Sequence, residues 1–235
     1  MHKVTAIEVQ KKNHQRVNIF LDGEFAFGLS RIVAAWLQIG QELSEEKIAS
    51  LQAEDVREVA LQKALNFLSY RARSDEEIRQ NLSKHGIPDA VIEETLERLH
   101  QAGLANDREF AQTWVENRTT FRPRSRRALR VELRQKGLDE QAIESALTQV
   151  PEENLLAYQA ALQKARRLKG LSWPEFRQKM SAFLARRGFG YEVIGDAVRR
   201  VWREQHQAEE SLPNEEQAQA SSRTEYINLD KEENP

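Results

Sequence analysis

The sequence predicts a mainly α-helical protein: three tandem three-helix repeats, preceded by a small β-rich module and followed by an acidic tail. Three observations support this fold class. Apolar residues recur at helical spacing from about residue 54 to about residue 204. Within that span, helix-start and helix-stop residues recur at intervals of 51 positions. Before the span, apolar residues alternate with polar ones, and after it the helical pattern stops.

The N-terminal module, residues 1–53, is predicted to hold an antiparallel hairpin or meander of three strands, followed by two short helices. Its apolar residues alternate with polar ones as strands require. Asp22-Gly23 is a strong hairpin signal, because both central residues of the tight turn need a positive φ. Ser30 is predicted to cap a helix over 31–37, and Ser44 a second short helix that ends near Leu51.

The first repeat, residues 54–105, contains the helix signals that the later repeats reuse. Ser74 and Glu77 form a predicted capping box, in which each side chain accepts a hydrogen bond from a backbone N–H at the helix start. Gly86 is predicted to end that middle helix in the left-handed conformation. Pro88 is predicted to occupy the first position of the third helix.

The second repeat, residues 106–150, and the third, residues 151–204, carry the same signals. Ser125 and Gly137 each lie 51 positions after their counterparts in the first repeat. Capping boxes are predicted at Asn106 and Ser172. The interval from cap to glycine is 12 residues in the first two repeats but 16 in the third, from Ser172 to Gly188. Four extra residues predict a middle helix about one turn longer in the third repeat.

The C-terminal tail, residues 205–235, has eight acidic and two basic residues. Gln, Glu, Ser, Asn and Ala dominate its composition and no apolar period remains, so we expect disorder. The overall charge of −2 therefore hides a segregation, because residues 1–204 hold 33 bases and 29 acids.

Composition excludes several classes of function. The chain has no cysteine, which excludes disulfides and thiol nucleophiles and favours a reducing cytoplasm. No apolar run approaches the ~18 residues that span a membrane, and the N-terminus has no long apolar export segment. The five histidines are scattered without metal-ligand spacing. We therefore predict no catalytic residue, no cofactor and no metal site, and we expect a non-enzymatic protein.

Two short windows concentrate positive charge, and they supply the candidate partner-binding residues. Windows 118–136 and 163–187 each contain eight basic residues and one acid. On a helical wheel, four arginines of the first window share an arc of ~100° beside the apolar stripe of Leu129 and Leu133. Glu132 is the one acid in that window that could neutralise them. The candidates are Arg118, Arg122, Arg124, Arg126, Arg127, Arg130, Arg134, Lys164, Arg166, Arg167, Arg186 and Arg187.

The basic windows leave alternatives open. They are either solvated helix faces or a docking surface, and a guanidinium suits carboxylates and phosphates equally. A helix-turn-helix that reads a DNA groove is disfavoured, because the helix after the turn is acidic in two repeats (Glu93 and Glu144 lie on it). Trp36, Trp114, Trp173 and Trp202 are expected to pack in the core or between helices. The alternative for Trp173, and equally for Phe121, is a contact role, because both lie in basic surroundings.

The middle of the chain resembles the RecX family of RecA regulators. Three stretches carry the resemblance: Ala-Leu-Asn-Phe-Leu-Ser-Tyr-Arg-Ala-Arg-Ser at 64–74, Leu-Ala-Asn-Asp-Arg-Glu-Phe-Ala at 104–111, and Leu-Arg-Gln-Lys-Gly-Leu at 133–138. The resemblance implies an elongated, cytoplasmic, non-enzymatic protein that binds the RecA filament on single-stranded DNA. It also implies modulation, mostly inhibition, of ATP hydrolysis, strand exchange and repressor cleavage, and so of homologous recombination, DNA repair and the SOS response.

We therefore expect a monomer whose partner is the RecA filament, with direct DNA contact left open. The alternative is a stand-alone nucleic-acid-binding helical module. The N-terminal module and the acidic tail lie outside the repeat pattern, so that pattern assigns no role to either of them.

Overall fold

A computed structural model describes the backbone of residues 1–210 and the side chains of residues 1–207. Residues 211–235, which make up most of the predicted acidic tail, lie outside the described residues. In chain order the elements are β1 (His2–Val9), β2 (Arg16–Leu21), β3 (Glu24–Ser30), α1 (Arg31–Ala34), β4 (Glu42–Leu43), α2 (Glu45–Leu68), α3 (Asp75–Lys84), α4 (Asp89–Gln101), α5 (Asp107–Phe121), α6 (Arg126–Gln135), α7 (Glu140–Leu147), α8 (Glu153–Ala165), α9 (Trp173–Arg186) and α10 (Tyr191–Glu210). The chain is thus mainly helical after a small antiparallel strand module, as predicted.

The strand module forms one antiparallel sheet in the order β3-β2-β1-β4. Asp22 and Gly23 have φ angles of 52° and 91°, so they form the predicted tight turn between β2 and β3. The sequence did not predict β4, which is only two residues long and pairs with the start of β1. Helix α1 is also shorter than predicted, because it ends at Ala34.

Helix α2 is one continuous helix of 24 residues, so the prediction that the helix capped by Ser44 ends near Leu51 was wrong. Ser44 does cap it, accepting a hydrogen bond from the Lys47 amide at 3.2 Å. Residues 45–68 contain neither glycine nor proline to break the helix. Leu51 packs in the core of the strand module, and Ala60 and Ala64 pack in the core of the first repeat. The predicted boundary at 53/54 therefore lies inside α2.

Asp55 joins α2 to the sheet. It is 7% exposed and its carboxylate accepts a hydrogen bond from Arg16 Nη2 at 2.7 Å and another from the backbone amide of Ser30. The same Arg16 nitrogen also donates to the carbonyl of Gly28 at 3.0 Å. A buried carboxylate is tolerated only when it is paired and hydrogen-bonded, and here both requirements are met.

The described chain divides into two compact units. The first contains Met1–Thr113 and Glu132–Ala146, and the second contains Trp114–Val131 and the residues from Leu147 onward. The middle repeat thus contributes to both units, because the division passes through α5 and α6.

In the first unit, Ser74 joins the first repeat to the end of α6. It is fully buried, accepts a hydrogen bond from the Glu77 amide at 3.3 Å and donates one to the carbonyl of Lys136 at 2.7 Å. The Glu77 carboxylate does not complete the predicted capping box, since it binds Arg71 and Lys136 instead. Burial alone would raise the pKa of the Glu77 carboxyl, but the hydrogen bonds from Arg71 and Lys136 outweigh burial and lower it.

In the second unit, Ser125 makes the corresponding junction with the end of α9. Ser125 is also fully buried, and its hydroxyl accepts a hydrogen bond from the Ala128 amide at 3.1 Å. Its own amide donates to the carbonyl of Arg187 at 3.1 Å. Arg187 Nη1 in turn donates to the carbonyl of Pro123 at 2.9 Å. Both junctions join residues 62 positions apart, which shows that the repeat in sequence is also a repeat of contacts.

The glycine after each middle helix has the predicted positive φ, which is 74° at Gly86, 81° at Gly137 and 88° at Gly188. Two of these glycines also lie against the preceding repeat. A Cβ on Gly137 would collide with the Glu76 side chain, and a Cβ on Gly188 would lie 2.6 Å from the Ser125 hydroxyl. Nothing lies within 4 Å of a Cβ built on Gly86.

The third repeat ends the array differently. Helix α9 has 14 residues against 10 in α3 and α6, as the longer cap-to-glycine interval predicted. The Trp202 ring packs 5.2 Å from that of Trp173 and 5.0 Å from that of Phe176, which is fully buried. Helix α10 runs to Glu210, six residues beyond the predicted end of the repeat, so the disorder predicted from residue 205 was wrong for 205–210. Trp36, in contrast, is 89% exposed, so the expectation that it packs inside was wrong.

We predict that alanine substitutions at the three glycines will have graded effects. Gly86→Ala should cost about 1 kcal/mol, because only the left-handed backbone is strained. Gly137→Ala and Gly188→Ala should each cost a further ~1–3 kcal/mol, because the new methyl group overpacks a junction. Thermal and urea unfolding of the three variants measures the difference, and equal losses would show that the close approach carries no energetic weight.

We also predict that Asp55→Ala will destabilise the first unit by about 3–5 kcal/mol, since it leaves the half-buried Arg16 unpaired. The control is Glu94→Ala. It removes an exposed ion pair at 2.8 Å between Glu94 of α4 and Arg57 of α2, the helix that also carries Asp55, and it should cost less than ~1 kcal/mol. Chemical unfolding followed by circular dichroism compares the two, and similar losses would contradict the anchoring role of Asp55.

Candidate partner-binding surface

The twelve predicted partner-binding residues lie at three places. Four lie on α6, and Arg118 lies on the last turns of α5, with Arg122 and Arg124 in the loop between these helices. Lys164 lies near the end of α8, followed by Arg166 and Arg167. Arg186 and Arg187 end α9.

Helix α6 presents its arginines beside a buried stripe, as the helical wheel predicts. Leu129 and Leu133 are both fully buried. Arg134, however, binds Glu140 of α7 at 2.8 Å. Glu132 remains the one acid within the window, but Glu140, which lies outside it, also neutralises part of this stripe. The window count missed Glu140 because the fold, rather than the local sequence, places it beside Arg134.

Arg126 is also engaged within the chain. Its Nη2 donates to the carbonyl of Val150 at 2.6 Å, and its amide donates to the Glu153 carboxylate at 3.2 Å. These bonds join the start of α6 to the segment that leads into α8. Arg126 thus has a structural task in addition to any role in binding.

The second unit brings two of the predicted residues onto the ring of Phe183 of α9. The Arg187 guanidinium lies 4.5 Å from the centre of the Phe183 ring and Lys164 Nζ lies 5.7 Å from it, both within cation–π range. Two further predicted residues, Arg122 and Arg124, lie close enough to Arg187 to repel it. We call Phe183, Lys164 and Arg187, together with the neighbouring Arg122 and Arg124, the Phe183 cluster.

The positive charges of the Phe183 cluster act on the pKa of Arg187. Burial of the guanidinium, followed by repulsion from Arg124 and Arg122, lowers the pKa of Arg187 below its ordinary value. Converging positive charges disfavour one another, and a bound anion would relieve that repulsion. Arg187 also holds the junction through the carbonyl of Pro123. The cluster is therefore part of the fold as well as a candidate binding site.

A second pairing of a cation with an aromatic ring lies on α5. The Arg118 guanidinium lies 4.4 Å from the centre of the Trp114 ring. Phe121, at the end of the same helix, is 69% exposed, so its ring is accessible to a partner. Trp173, the other candidate contact, is partly buried against Trp202.

The remaining candidates are exposed but are not drawn together. Arg127, Arg166, Arg167 and Arg186 are exposed. Within residues 1–207, their side chains make no hydrogen bond or ion pair. These four residues are therefore solvent-facing charges outside the Phe183 cluster.

Phe183 was not among the residues predicted from the sequence. The sequence does contain an indication of its role, because Phe183 precedes Leu184 of the buried stripe by one position and is followed by Arg186 and Arg187. An aromatic residue at the edge of a helix's apolar face, next to cations, indicates such a pairing. The contribution of Lys164 from a different helix required the fold.

The described residues show neither a metal centre nor a membrane segment. Among them, no group of three or more His, Asp and Glu residues is arranged to hold a metal ion. No helix in that part of the chain is long and apolar enough to cross a membrane.

Four family models match successive parts of the chain. The regulatory protein RecX N-terminal domain matches residues 2–44, and the first, second and third RecX three-helix domains match residues 60–99, 106–147 and 152–198. The strand module is thus a domain of the family and not an addition peculiar to this chain.

Curated relatives and solved structures agree with these matches. The chain is 35% identical over 218 residues to the regulatory protein RecX of Bacillus pumilus (strain SAFR-032), which covers 90% of this chain and 83% of that protein. It is 34% identical over 202 residues to that of Bacillus subtilis (strain 168), covering 84% and 76%. A crystal structure of regulatory protein RecX matches with a TM-score of 0.60 and 32% identity, over 82% of this chain and 97% of that one. With four domains in order and these identities over most of its length, the chain belongs to the RecX family of regulatory proteins.

Proposed function

We propose that the chain is a non-catalytic regulator of RecA that binds the RecA filament on single-stranded DNA and inhibits its ATPase, strand-exchange and repressor-cleavage activities. Membership of the RecX family fits a regulator of RecA. The observation that supports a binding role most directly is the Phe183 cluster, where Lys164 and Arg187 lie on one aromatic ring and Arg122 and Arg124 lie near Arg187. We place this activity in the cytoplasm and expect the active species to be a monomer.

The chemistry of the Phe183 cluster favours an anionic partner surface. A guanidinium forms paired hydrogen bonds with a carboxylate or a phosphate, and one held on an aromatic ring loses little side-chain entropy on binding. Carboxylates of a protein surface and phosphates of a bound strand would both supply such groups. A filament repeats its surface, so weak contacts from several modules of one chain add through a high effective concentration.

The remaining predicted residues differ in whether they are already bonded within the chain. The exposed Arg127, Arg166, Arg167 and Arg186 are proposed as secondary contacts. Arg118 and Arg130 stay proposed contacts beside them. Arg126 and Arg134 already bind Val150 and Glu140, so we assign them first to the fold.

A stand-alone nucleic-acid-binding module is the second candidate. The pairing of Arg118 with Trp114, together with the exposed ring of Phe121, favours it. Surfaces that bind single strands combine cations with aromatic rings on which bases stack. Tight, salt-sensitive binding to bare single-stranded DNA, with no preference for the filament, would select this second function.

We expect the chain to lower ATP hydrolysis by RecA on single-stranded DNA. The measurement is steady-state RecA ATPase at increasing concentrations of the chain, together with its co-sedimentation with filaments. Inhibition that saturates as filament binding saturates is the expected result. Normal ATPase and no sedimentation at a large excess of the chain would rule out the proposed function.

We also expect the double variant Arg122→Glu and Lys164→Glu to bind filaments about tenfold more weakly, as two exposed charge contacts worth ~0.7 kcal/mol each would imply. Neither side chain makes a hydrogen bond or an ion pair within the described residues, so helicity should be unchanged. Fluorescence anisotropy at two salt concentrations measures the affinity.

The control for this variant is Arg203→Glu, which reverses an exposed charge of α10 outside the Phe183 cluster. It should leave filament affinity within about twofold, since isolated exposed charges contribute little at physiological salt. An equal loss in the control would mean that net charge alone, and not the cluster, determines binding.

A further inference from the structure

The third repeat contains an open groove of about 730 Å³ between α9 and α10. Small residues line it, including Ser181 and Ala185 of α9 and Gly195 of α10. Aromatic side chains lie at its two ends, with Trp173 at one and the 85% exposed Tyr191 at the other. All the lining residues belong to the second unit.

The groove lies where the first repeat has a bridge between the corresponding helices. In the first repeat, Arg79 of α3 binds Glu93 of α4 at 2.8 Å and so spans the corresponding helices. The positions 102 residues later are Ser181 and Gly195. The alignment is fixed by buried apolar residues at the same interval, which are Ile78 and Met180, Leu82 and Leu184, Ile92 and Ile194, and Leu96 and Val198.

The groove combines an apolar floor with a basic end at Arg177 and Arg199, and the acidic Asp196 and Glu192 also line it. The exposed Arg177 lies one helical turn from Trp173 and makes no hydrogen bond or ion pair with the side chains described in residues 1–207. Arg199 binds Asp196 at 2.6 Å, but both side chains are more than 60% exposed, so that pair costs little to break. A segment that fits must therefore be narrow, carry apolar side chains and bring a carboxylate.

The chain's own C-terminal tail contains one such segment. Residues 225–230 read Glu-Tyr-Ile-Asn-Leu-Asp, with three large apolar side chains between two acids. In the rest of 211–235, Leu212 is the only large apolar residue. The same tail holds six acidic and two basic residues, so its net charge of −4 complements the basic end of the groove.

The lengths are compatible with docking within one molecule. The groove follows α9 from Trp173 to Ala185, about 18 Å at 1.5 Å per residue, and six extended residues span about 20 Å. Helix α10 ends at Glu210, about 17 Å along its axis from Arg199. The 14 residues 211–224 can reach up to about 46 Å when extended, so they can return the segment to the groove.

We propose that residues 225–230 of the tail bind in the groove between α9 and α10 of the same molecule. Ile227 and Leu229, which share one face of an extended segment, cover the small residues of the floor, and Glu225 on the same face pairs with Arg177. The tether supplies an effective concentration in the millimolar range, so a weak contact suffices. The proposal is independent of the function proposed above, since it requires neither RecA nor DNA.

The absence of native cysteine makes cross-linking a clean test in the full-length chain. The test variant carries Ser181→Cys in the groove and Asn228→Cys in the tail. The control carries Lys179→Cys with Asn228→Cys. Lys179 is exposed on the same helix, about 160° around it from Ser181, so the tether length to the tail is matched. Disulfide formation under mild oxidation is followed by non-reducing electrophoresis at low protein concentration.

The expected result is an intramolecular disulfide that forms about tenfold faster in the test variant than in the control. Equal rates in the two variants would overturn the proposal, because they would show that the tail has no preference for the groove. Disulfide-linked dimers in place of monomers would overturn it too, and would assign the groove to the tail of a second copy.

A second measurement fills the groove without unfolding the repeat. The variant Ser181→Arg with Gly195→Glu rebuilds the bridge of the first repeat, and a Cβ on Gly195 meets nothing closer than Arg199 Nη1 at 3.4 Å. In this background, alkylation of Asn228→Cys should be about threefold faster than in the chain with the native groove, as expected for a tail docked about two-thirds of the time. An unchanged alkylation rate with unchanged circular dichroism would contradict docking.

Discussion

The buried serine at the start of a middle helix is the contact on which each repeat junction depends. A buried hydroxyl is unfavourable unless it is hydrogen-bonded. Ser74 both accepts from its own helix start and donates to the Lys136 carbonyl at the end of α6. Helix starts leave amides without partners and helix ends leave carbonyls without partners, so one side chain satisfies two helix ends at once. The junction therefore requires a small polar residue at this position.

A glycine follows each middle helix, and two separate reasons account for it. At Gly86 only the left-handed turn matters, because nothing approaches it. At Gly137 and Gly188 the backbone comes so close to the preceding repeat that a side chain has no room. Each junction then adds a salt bridge or a hydrogen bond from the residue before the glycine, which is Lys136 in one case and Arg187 in the other. A basic residue followed by glycine thus provides the left-handed turn, the close contact with the preceding repeat and the cation that bonds to it.

These features show how far the sequence allows prediction. The interval of 51 residues predicted the three repeats and the left-handed glycines, and the longer cap-to-glycine interval predicted the longer α9, because each depends on local backbone chemistry or on the phase of the apolar residues. The continuity of α2 was missed because its two halves face different cores, so its apolar pattern changes at Asp55 although the helix does not end. The predicted disorder of the tail concerns residues that are mostly outside the described part of the chain.

The candidate site was less predictable for a different reason. A basic window reveals which residues carry charge, but the partner of each charge comes from another element. Arg134 finds Glu140 on the next helix, and Arg126 finds the carbonyl of Val150. Arg187 was predicted as a partner contact, yet it also holds a repeat junction. Phe183 lay outside the prediction because its importance depends on Lys164 approaching from α8.

The third repeat shows what happens where no further repeat follows. An array of repeats needs a terminal unit that closes its own exposed face. By the interval of 51, the position of Ser74 and Ser125 is occupied in this repeat by Phe176, which is buried beneath Trp202 instead of joining a neighbour. The additional turn of α9 contributes Trp173 to the same aromatic group. The positions that correspond to the Arg79–Glu93 bridge of the first repeat line a groove here. The terminal repeat thus has aromatic packing where the earlier repeats have polar junction contacts, and an open groove with small residues in its lining lies next to that packing.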